Sequence, residues 1–168
     1  MDRQILFSTR ECVLGTVLVA RSERGVCAIL LGDDAKALER DLRARFPRDE
    51  VCNAYVGLET LVEEVARFLA APGTRLGLPL DLRGSELEQR VWNALCEIPP
   101  GTTRTYSEIA RRPGVAATAK EVGEACAANA LAVAVPCHRV LRKDGSLGGY
   151  RWGLRRKRAL LARERAAA

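Results

Sequence analysis

The sequence contains one histidine, His138, no Cys-x-x-Cys pair among its six cysteines, and no apolar run of bilayer length. Each shortage excludes something. A structural zinc site draws on four ligands, commonly with histidine among them. Cys12 and Cys27 are candidate ligands, but one imidazole and scattered thiols leave such a site poorly supplied, and no metal is expected. A spanning helix needs roughly 18 consecutive apolar residues, so no membrane helix is expected. The chain does not open on an apolar stretch with a cleavage site, which argues against a signal peptide. With Cys12, Cys27, Cys52, Cys96, Cys126 and Cys137 unpaired in pattern, the expectation is a reduced, cytoplasmic protein with mostly buried thiols.

What is present is ordinary globular composition. Hydrophobic residues make up 48% and charged residues 29% of 168, which suits one domain or two small lobes sharing a core. The formal net charge of +6 is unevenly placed. From His138 onward stand Arg139, Arg142, Lys143, Arg151, Arg155, Arg156, Lys157, Arg158, Arg163 and Arg165, against only Asp144 and Glu164. A positive field confined to one end suits phosphate binding. It suits equally a solvated last helix with cations near its negative dipole end.

Residues 13–20 and 26–31 are apolar and partly β-branched, and Ser22-Glu23-Arg24-Gly25 between them predicts a hairpin. Asp33 or Asp34 caps a predicted helix reaching about Phe46, with Ala37, Leu38, Leu42 and Phe46 near helical spacing. A second predicted helix, about Leu58 to Ala70, turns Leu61, Val65, Phe68 and Leu69 inward and stops at Pro72-Gly73. The fold class is therefore α/β (α+β): an N-terminal α/β lobe, residues 1–76, of structural role, followed by a mostly helical C-terminal domain, 77–168.

Residues 72–80 read as a linker entering that second part. Ser85 and Glu88 form a capping box for a helix with Leu87, Val91, Leu95 and Ile98 at helical spacing, ended by Pro99-Pro100-Gly101. Two short helices follow, about 106–111 and 119–128, broken by Pro113-Gly114. That is helix-turn-helix spacing. The second has unusually small side chains, whereas a helix reading the major groove carries long polar ones. A slim helix fits a narrower surface such as the minor groove, or packs tightly in a core.

Pro136-Cys137-His138-Arg139-Val140 carries the strongest chemical signal. A thiolate is a nucleophile whose formation needs a base or positive surroundings, and His138 is the one imidazole available. In regular extended backbone the two side chains would point to opposite faces, so contact needs a turn or a bridging water. A Cys-His dipeptide alone does not establish catalysis.

These residues resemble the active-site motif of the O6-alkylguanine-DNA alkyltransferases, or methylated-DNA–protein-cysteine methyltransferases. Residues 101–106 (GTTRTY) resemble the family's turn into its helix-turn-helix, 125–129 (ACAAN) the end of its recognition helix, and 144–153 (DGSLGGYRWG) its active-site loop. Residues 22–34 resemble the carboxy-terminal half of Ada-type members. The resemblance covers nearly the whole chain.

It implies direct-reversal repair, with no cofactor. Cys137 would accept the alkyl group from O6-alkylguanine, and from O4-alkylthymine, irreversibly and once. His138 would act as base through a water, oriented by Glu164, and Asn129 would brace the active-site turn. Tyr106 would donate to the extruded guanine, the backbone of Cys137 and Val140 would accept from its amino group, and the Arg151 amide would face O6, with Tyr150 beside the base. Double-stranded DNA would be the partner of a monomer, bound through its minor groove by Ala119, Lys120, Ala127 and Arg139. The damaged base would be extruded, because O6 is unreachable inside the stack. The basic tail would contact phosphates without specifying sequence.

Two departures stand out. The family usually places an arginine where this chain has Lys120. No zinc-binding regulatory segment precedes Met1, so an Ada-like transcriptional switch is not expected here. Three other readings are set against the family's. A lesion sensor would lack the acceptor cysteine, a thiol hydrolase would leave the helix-turn-helix unexplained, and a transferase for small alkylated compounds is suggested by Lys120.

Overall fold

The computed structural model describes residues 3–73 and 75–167; of the expected linker, Thr74 lies outside the described residues. The expected hairpin is β2 (Gly15–Ser22) and β3 (Gly25–Gly32), turning at Glu23-Arg24. Its strands read Val17-Leu18-Val19-Ala20 and Val26 to Leu31, all buried. Continuous rather than alternating burial means that both faces of these strands are covered. Two further strands complete a four-stranded sheet of order β3-β2-β1-β4, namely β1 (Gln4–Cys12), antiparallel to β2, and β4 (Glu50–Asn53), parallel to β1. Sequence reasoning missed both. β4 is four residues long with one buried side chain, Val51, too short to show a period. β1 mixes buried Ile5 and Phe7 with exposed charges, and takes its structure from its neighbours.

Helices α1 (Ala35–Arg45) and α2 (Glu59–Ala70) pack on this sheet. Asp34 caps α1, accepting from the Lys36 amide, and Leu38, Leu42 and Phe46 are buried as their spacing predicts; Ala37 is exposed. In α2 the buried set is Val62, Val65, Phe68 and Leu69, with Leu61 at the margin.

The free edge of β3 holds the second half of the chain. Its Val26 pairs with residues 79–81, the Val26 amide donating to Pro79 and the Asp81 amide to Val26. Its Ile29 takes the 130–132 segment, donating to Ala130 at 2.8 Å and accepting from Ala132 at 3.0 Å. A sheet edge is a row of unpaired donors and acceptors, and here it fixes the strand of chain that leads to Cys137. One continuous cluster of buried apolar residues runs through both halves.

Beyond it come α3 (Glu86–Cys96), α4 (Tyr106–Ala110), α5 (Ala119–Ala128) and α6 (Leu154–Ala167), with a two-residue parallel pair, β5 (Arg104–Thr105) and β6 (Val140–Leu141). The Ser85–Glu88 capping box is formed in both directions, and Thr118–Glu121 builds another at the start of α5. α4 and α5 pack against each other and on α3 as a helix-turn-helix unit, pinned by the Trp92 indole donating to the Ala125 carbonyl at 2.8 Å.

Candidate active site

The chain leaves α5 at Asn129, runs along the β3 edge, and turns back through residues 131–136. Val133 sits at φ +61°, a left-handed conformation that costs a β-branched residue energy. The bends are tied by Asn129. Its amide donates to the Val135 carbonyl at 3.0 Å, the Leu131 carbonyl at 3.4 Å and the Cys137 Sγ at 3.3 Å, while its Oδ1 accepts from the Leu131 amide at 2.8 Å.

Cys137–Arg139 is one 3₁₀ turn. At three residues per turn, neighbouring side chains diverge by about a third of a revolution. Cys137 therefore faces Asn129 and a cavity, while His138 faces α6. The structure shows no hydrogen bond between Cys137 and His138 among the described residues. His138 Nε2 instead lies 2.6 Å from Glu164 Oε1, with both side chains buried.

The protonation states follow. Burial would push the Glu164 carboxyl up, but its hydrogen bonds from His138 and Arg139 outweigh that and hold it down at about 2. Burial pushes His138 below its usual value, against the pull of Glu164. A neutral ring against a carboxylate must carry its proton on Nε2. That leaves a lone pair on Nδ1, which is buried and makes no hydrogen bond among the described residues. Burial pushes the Cys137 thiol up, while the Asn129 hydrogen bond and the Lys157 charge pull the other way.

A cavity of about 600 Å³ opens over Cys137. One wall is the outer face of α5, Ala119, Gly123, Cys126 and Ala127. The other is the loop from Arg142 to Arg151, including Gly148, Gly149 and Tyr150, with Tyr106 between them. The small side chains fall on two faces: Val122 and Ala125 pack inward, and Ala119, Gly123 and Ala127 leave room for the cavity. Gly148, at φ +68°, allows the Tyr106 hydroxyl to approach; a Cβ there would stand 3.0 Å from it. Burial pushes the Tyr106 phenol up to about 12, so it is a donor at neutral pH. Tyr150 stands edge-on to Trp152 and His138.

The structure thus brings Cys137, Asn129, Tyr106, Tyr150 and the His138–Glu164 pair around one cavity or directly behind it, with Ala119, Lys120, Ala127 and Arg151 on its walls and rim. The Cys137 carbonyl already accepts from the Val140 amide, and the Val140 carbonyl from Lys157. Each oxygen keeps one lone pair for another donor.

Two expectations are corrected. Arg139, expected on the DNA, is 5% exposed. Its guanidinium grips Glu164 through Nε and Nη2, and donates to the Ile98 carbonyl at 2.7 Å. Nor is the tail a uniform phosphate-binding run. Lys157 is fully buried, and Arg156 bonds the Leu14 carbonyl and Asp33. Arg155 and Arg158 are exposed. The signal for Lys157 and Glu164 is legible in retrospect: 157, 160, 161 and 164 are helically spaced around Leu160-Leu161, and all four are buried. Arg151 ties the two halves, donating to the Ala127 carbonyl and to Asp41 of α1.

Comparisons with known proteins agree. Residues 86–166 match the family model described as 6-O-methylguanine DNA methyltransferase, DNA binding domain. The chain is 47% identical over 160 residues to the bifunctional transcriptional activator/DNA repair enzyme Ada of Escherichia coli, covering 95% of this chain and 45% of that one. It thus spans less than half the length of that relative. It is 37% identical to the inducible methylated-DNA–protein-cysteine methyltransferase of Bacillus subtilis, over 83% of this chain and 79% of that one. The fold is similar to that of Mycobacterium tuberculosis OGT, crystallised in complex with DNA, with a TM-score of 0.81, 32% identity, and coverage of 97% and 94% of the two chains.

Proposed function

Because the chain belongs to the methylated-DNA–protein-cysteine methyltransferase family, we propose that it repairs DNA by direct reversal, moving an alkyl group from O6 of damaged guanine, or O4 of thymine, onto its own Cys137. The observation that carries this reading is a buried cysteine, Cys137, beneath a cavity of about 600 Å³ and next in the chain to a buried histidine–carboxylate pair. The half spanning 77–168 does the chemistry, and the half spanning 1–76 holds the 130–132 segment in place.

His138 Nδ1 takes the Cys137 proton through a water, and Glu164 stabilises the imidazolium that forms. The sulfur attacks the alkyl carbon, the carbon–O6 bond breaks, and its electron pair returns to the purine. Tyr106 donates to the departing base. A thioether does not hydrolyse readily, so the protein acts once. Acting on duplex DNA, it would work at the nucleoid, as a monomer in the cytoplasm. Among the described residues no helix is long and apolar enough to cross a membrane. Intact-mass measurement after mixing with a duplex carrying O6-methylguanine tests the proposal. One methylene's mass should appear, on Cys137. An unchanged mass with the duplex bound would indicate a sensor, and a restored base with unmodified protein a turnover enzyme.

Lys120 sits on the cavity rim with its side chain 87% exposed, 3.8 Å from Glu124. A planar guanidinium there could fill the gap left by an extruded base and donate to the orphaned partner; an ammonium keeps the charge but loses the plane. Lys120→Arg should speed repair of duplex O6-methylguanine about tenfold, the equivalent of roughly 1.4 kcal/mol in the barrier, and leave reaction with a free alkylated guanine unchanged. Arg112 is held by Glu97 and the Ala94 carbonyl, so Arg111 is the remaining neighbour able to substitute. Single-turnover rates on both substrates decide. Equal duplex rates, or equal acceleration on the free base, would sink the idea.

Phosphate contacts are best sought where the base enters. Replacing Lys120 and Arg142 by Gln should reduce the log–log salt slope of duplex binding by about 0.9 per lost contact. Fluorescence anisotropy across a salt series measures it. An unchanged slope would move the phosphates elsewhere, with the exposed Arg155 and Arg158 the next to replace.

A further inference from the structure

The buried lysine of α6 has no place in the mechanism so far. Lys157 is 0% exposed, and its ammonium donates to three carbonyls: Val140 at 2.7 Å, Leu147 at 2.5 Å and Gly149 at 3.0 Å. An ammonium has three donors and no acceptor, so its hydrogen bonding is complete. Val140 ends the Cys137 turn, while Leu147 and Gly149 belong to the loop forming the opposite cavity wall. One side chain therefore draws the nucleophile's turn and the loop together.

Its charge is a separate matter. Carbonyl dipoles solvate a cation but do not neutralise it. Among the described residues no carboxylate pairs with Lys157; the nearby buried one, Glu164, is taken by Arg139 and His138. With Arg139 and Glu164 cancelling and His138 neutral, the resting thiol state holds one uncompensated buried positive charge. Ionising Cys137 cancels it. The other groups facing this pocket do not: Cys126 on α5, Tyr106 on α4 and Tyr150 on the loop are held neutral by burial, and Arg142 at the rim is itself positive.

We propose that Lys157 is a positioning residue with two effects: it clamps the active-site loop to the Cys137 turn, and it is the counter-charge against which the Cys137 thiolate forms. The inference deepens the alkyl-transfer reading and rests on Cys137 being the acceptor. The coupling acts in the expected direction from both sides, Lys157 lowering the thiol and Cys137 supporting the ammonium.

The test uses iodoacetamide, which needs neither DNA nor an alkylated base, so it stands apart from the repair reaction. Labelling of the Cys137 peptide is followed by mass spectrometry against pH for the full chain and for Lys157→Gln and Lys157→Met. Gln retains amide donors for the carbonyls without the charge; Met removes both. In both variants the pH midpoint should rise by about one unit, which slows labelling near neutrality about tenfold, and the rates should approach those of the unaltered protein above the midpoint. Lys157→Arg should restore the midpoint. A rate lowered equally at every pH, with the midpoint unmoved, would reduce Lys157 to packing and overturn the charge role. Should the neutral variants fail to fold, linkage allows the reciprocal measurement. The Lys157 titration, followed by NMR of a labelled ε-carbon, should move down in Cys137→Ala; an unmoved titration overturns the proposal.

Discussion

Cys137→Ala and Cys137→Ser are expected to abolish alkyl transfer while leaving duplex affinity largely intact. The two effects separate because they arise in different places. Cys137 is 4% exposed, beneath the cavity; the cations proposed to meet phosphates, Lys120 and Arg142 among them, are on the rim. Serine would keep the Asn129 hydrogen bond, but a hydroxyl ionises at far higher pH than a thiol and is a weak nucleophile without an adjacent base. His138 does not supply that base by contact, since it faces α6. Transfer is read by intact mass after incubation with O6-methylguanine duplex, and affinity by fluorescence anisotropy. If duplex affinity fell as far as transfer, binding and chemistry would not be divided between rim and floor, and the mechanism would need revision.

The second large effect concerns His138 and Glu164. Their 2.6 Å contact, fully buried, joins them: the carboxylate fixes the proton on Nε2 and leaves the Nδ1 lone pair, the base of the proposed mechanism. His138→Gln and Glu164→Gln should each slow transfer on the order of a hundredfold or more, the usual scale of a lost general base, and each should raise the pH midpoint for Cys137 reactivity. The double variant should lose little beyond the worse single one. Arg139 sets the choice of substitution. Glu164→Ala would strand its guanidinium in the core, at a cost of about 3–5 kcal/mol in stability, whereas Gln keeps a hydrogen-bonding partner. Thermal unfolding controls for this, and single-turnover rates complete the double-mutant cycle. Losses that multiply would mean that the two residues act separately.

What the sequence by itself determined is the part governed by neighbours along the chain. The Asp34 cap, the Ser85–Glu88 box, the Pro and Gly stops and the apolar spacing of Val91, Leu95 and Ile98 place helices within a residue or two, because a helix is closed by hydrogen bonds four residues apart. The hairpin followed from two β-branched runs and a short turn. The Pro136–Val140 motif marked Cys137 as the proposed nucleophile by resemblance to a family, not by geometry.

What only the tertiary structure decided is everything that depends on which side of an element faces the core. β1 and β4 exist because neighbouring strands pair with them; β4 is too short to show a period, and β1 mixes apolar with charged positions. Arg139 and Lys157 were charges like their neighbours in the string. Packing buried one against Glu164 and the other on three carbonyls, while Arg155 and Arg158 stayed in solvent. Composition counts those cations alike. Burial separates them, because a charge removed from water must be met by a fixed partner, and the partners here, Ile98, Leu147, Gly149 and Glu164, are brought to Arg139 and Lys157 by the fold.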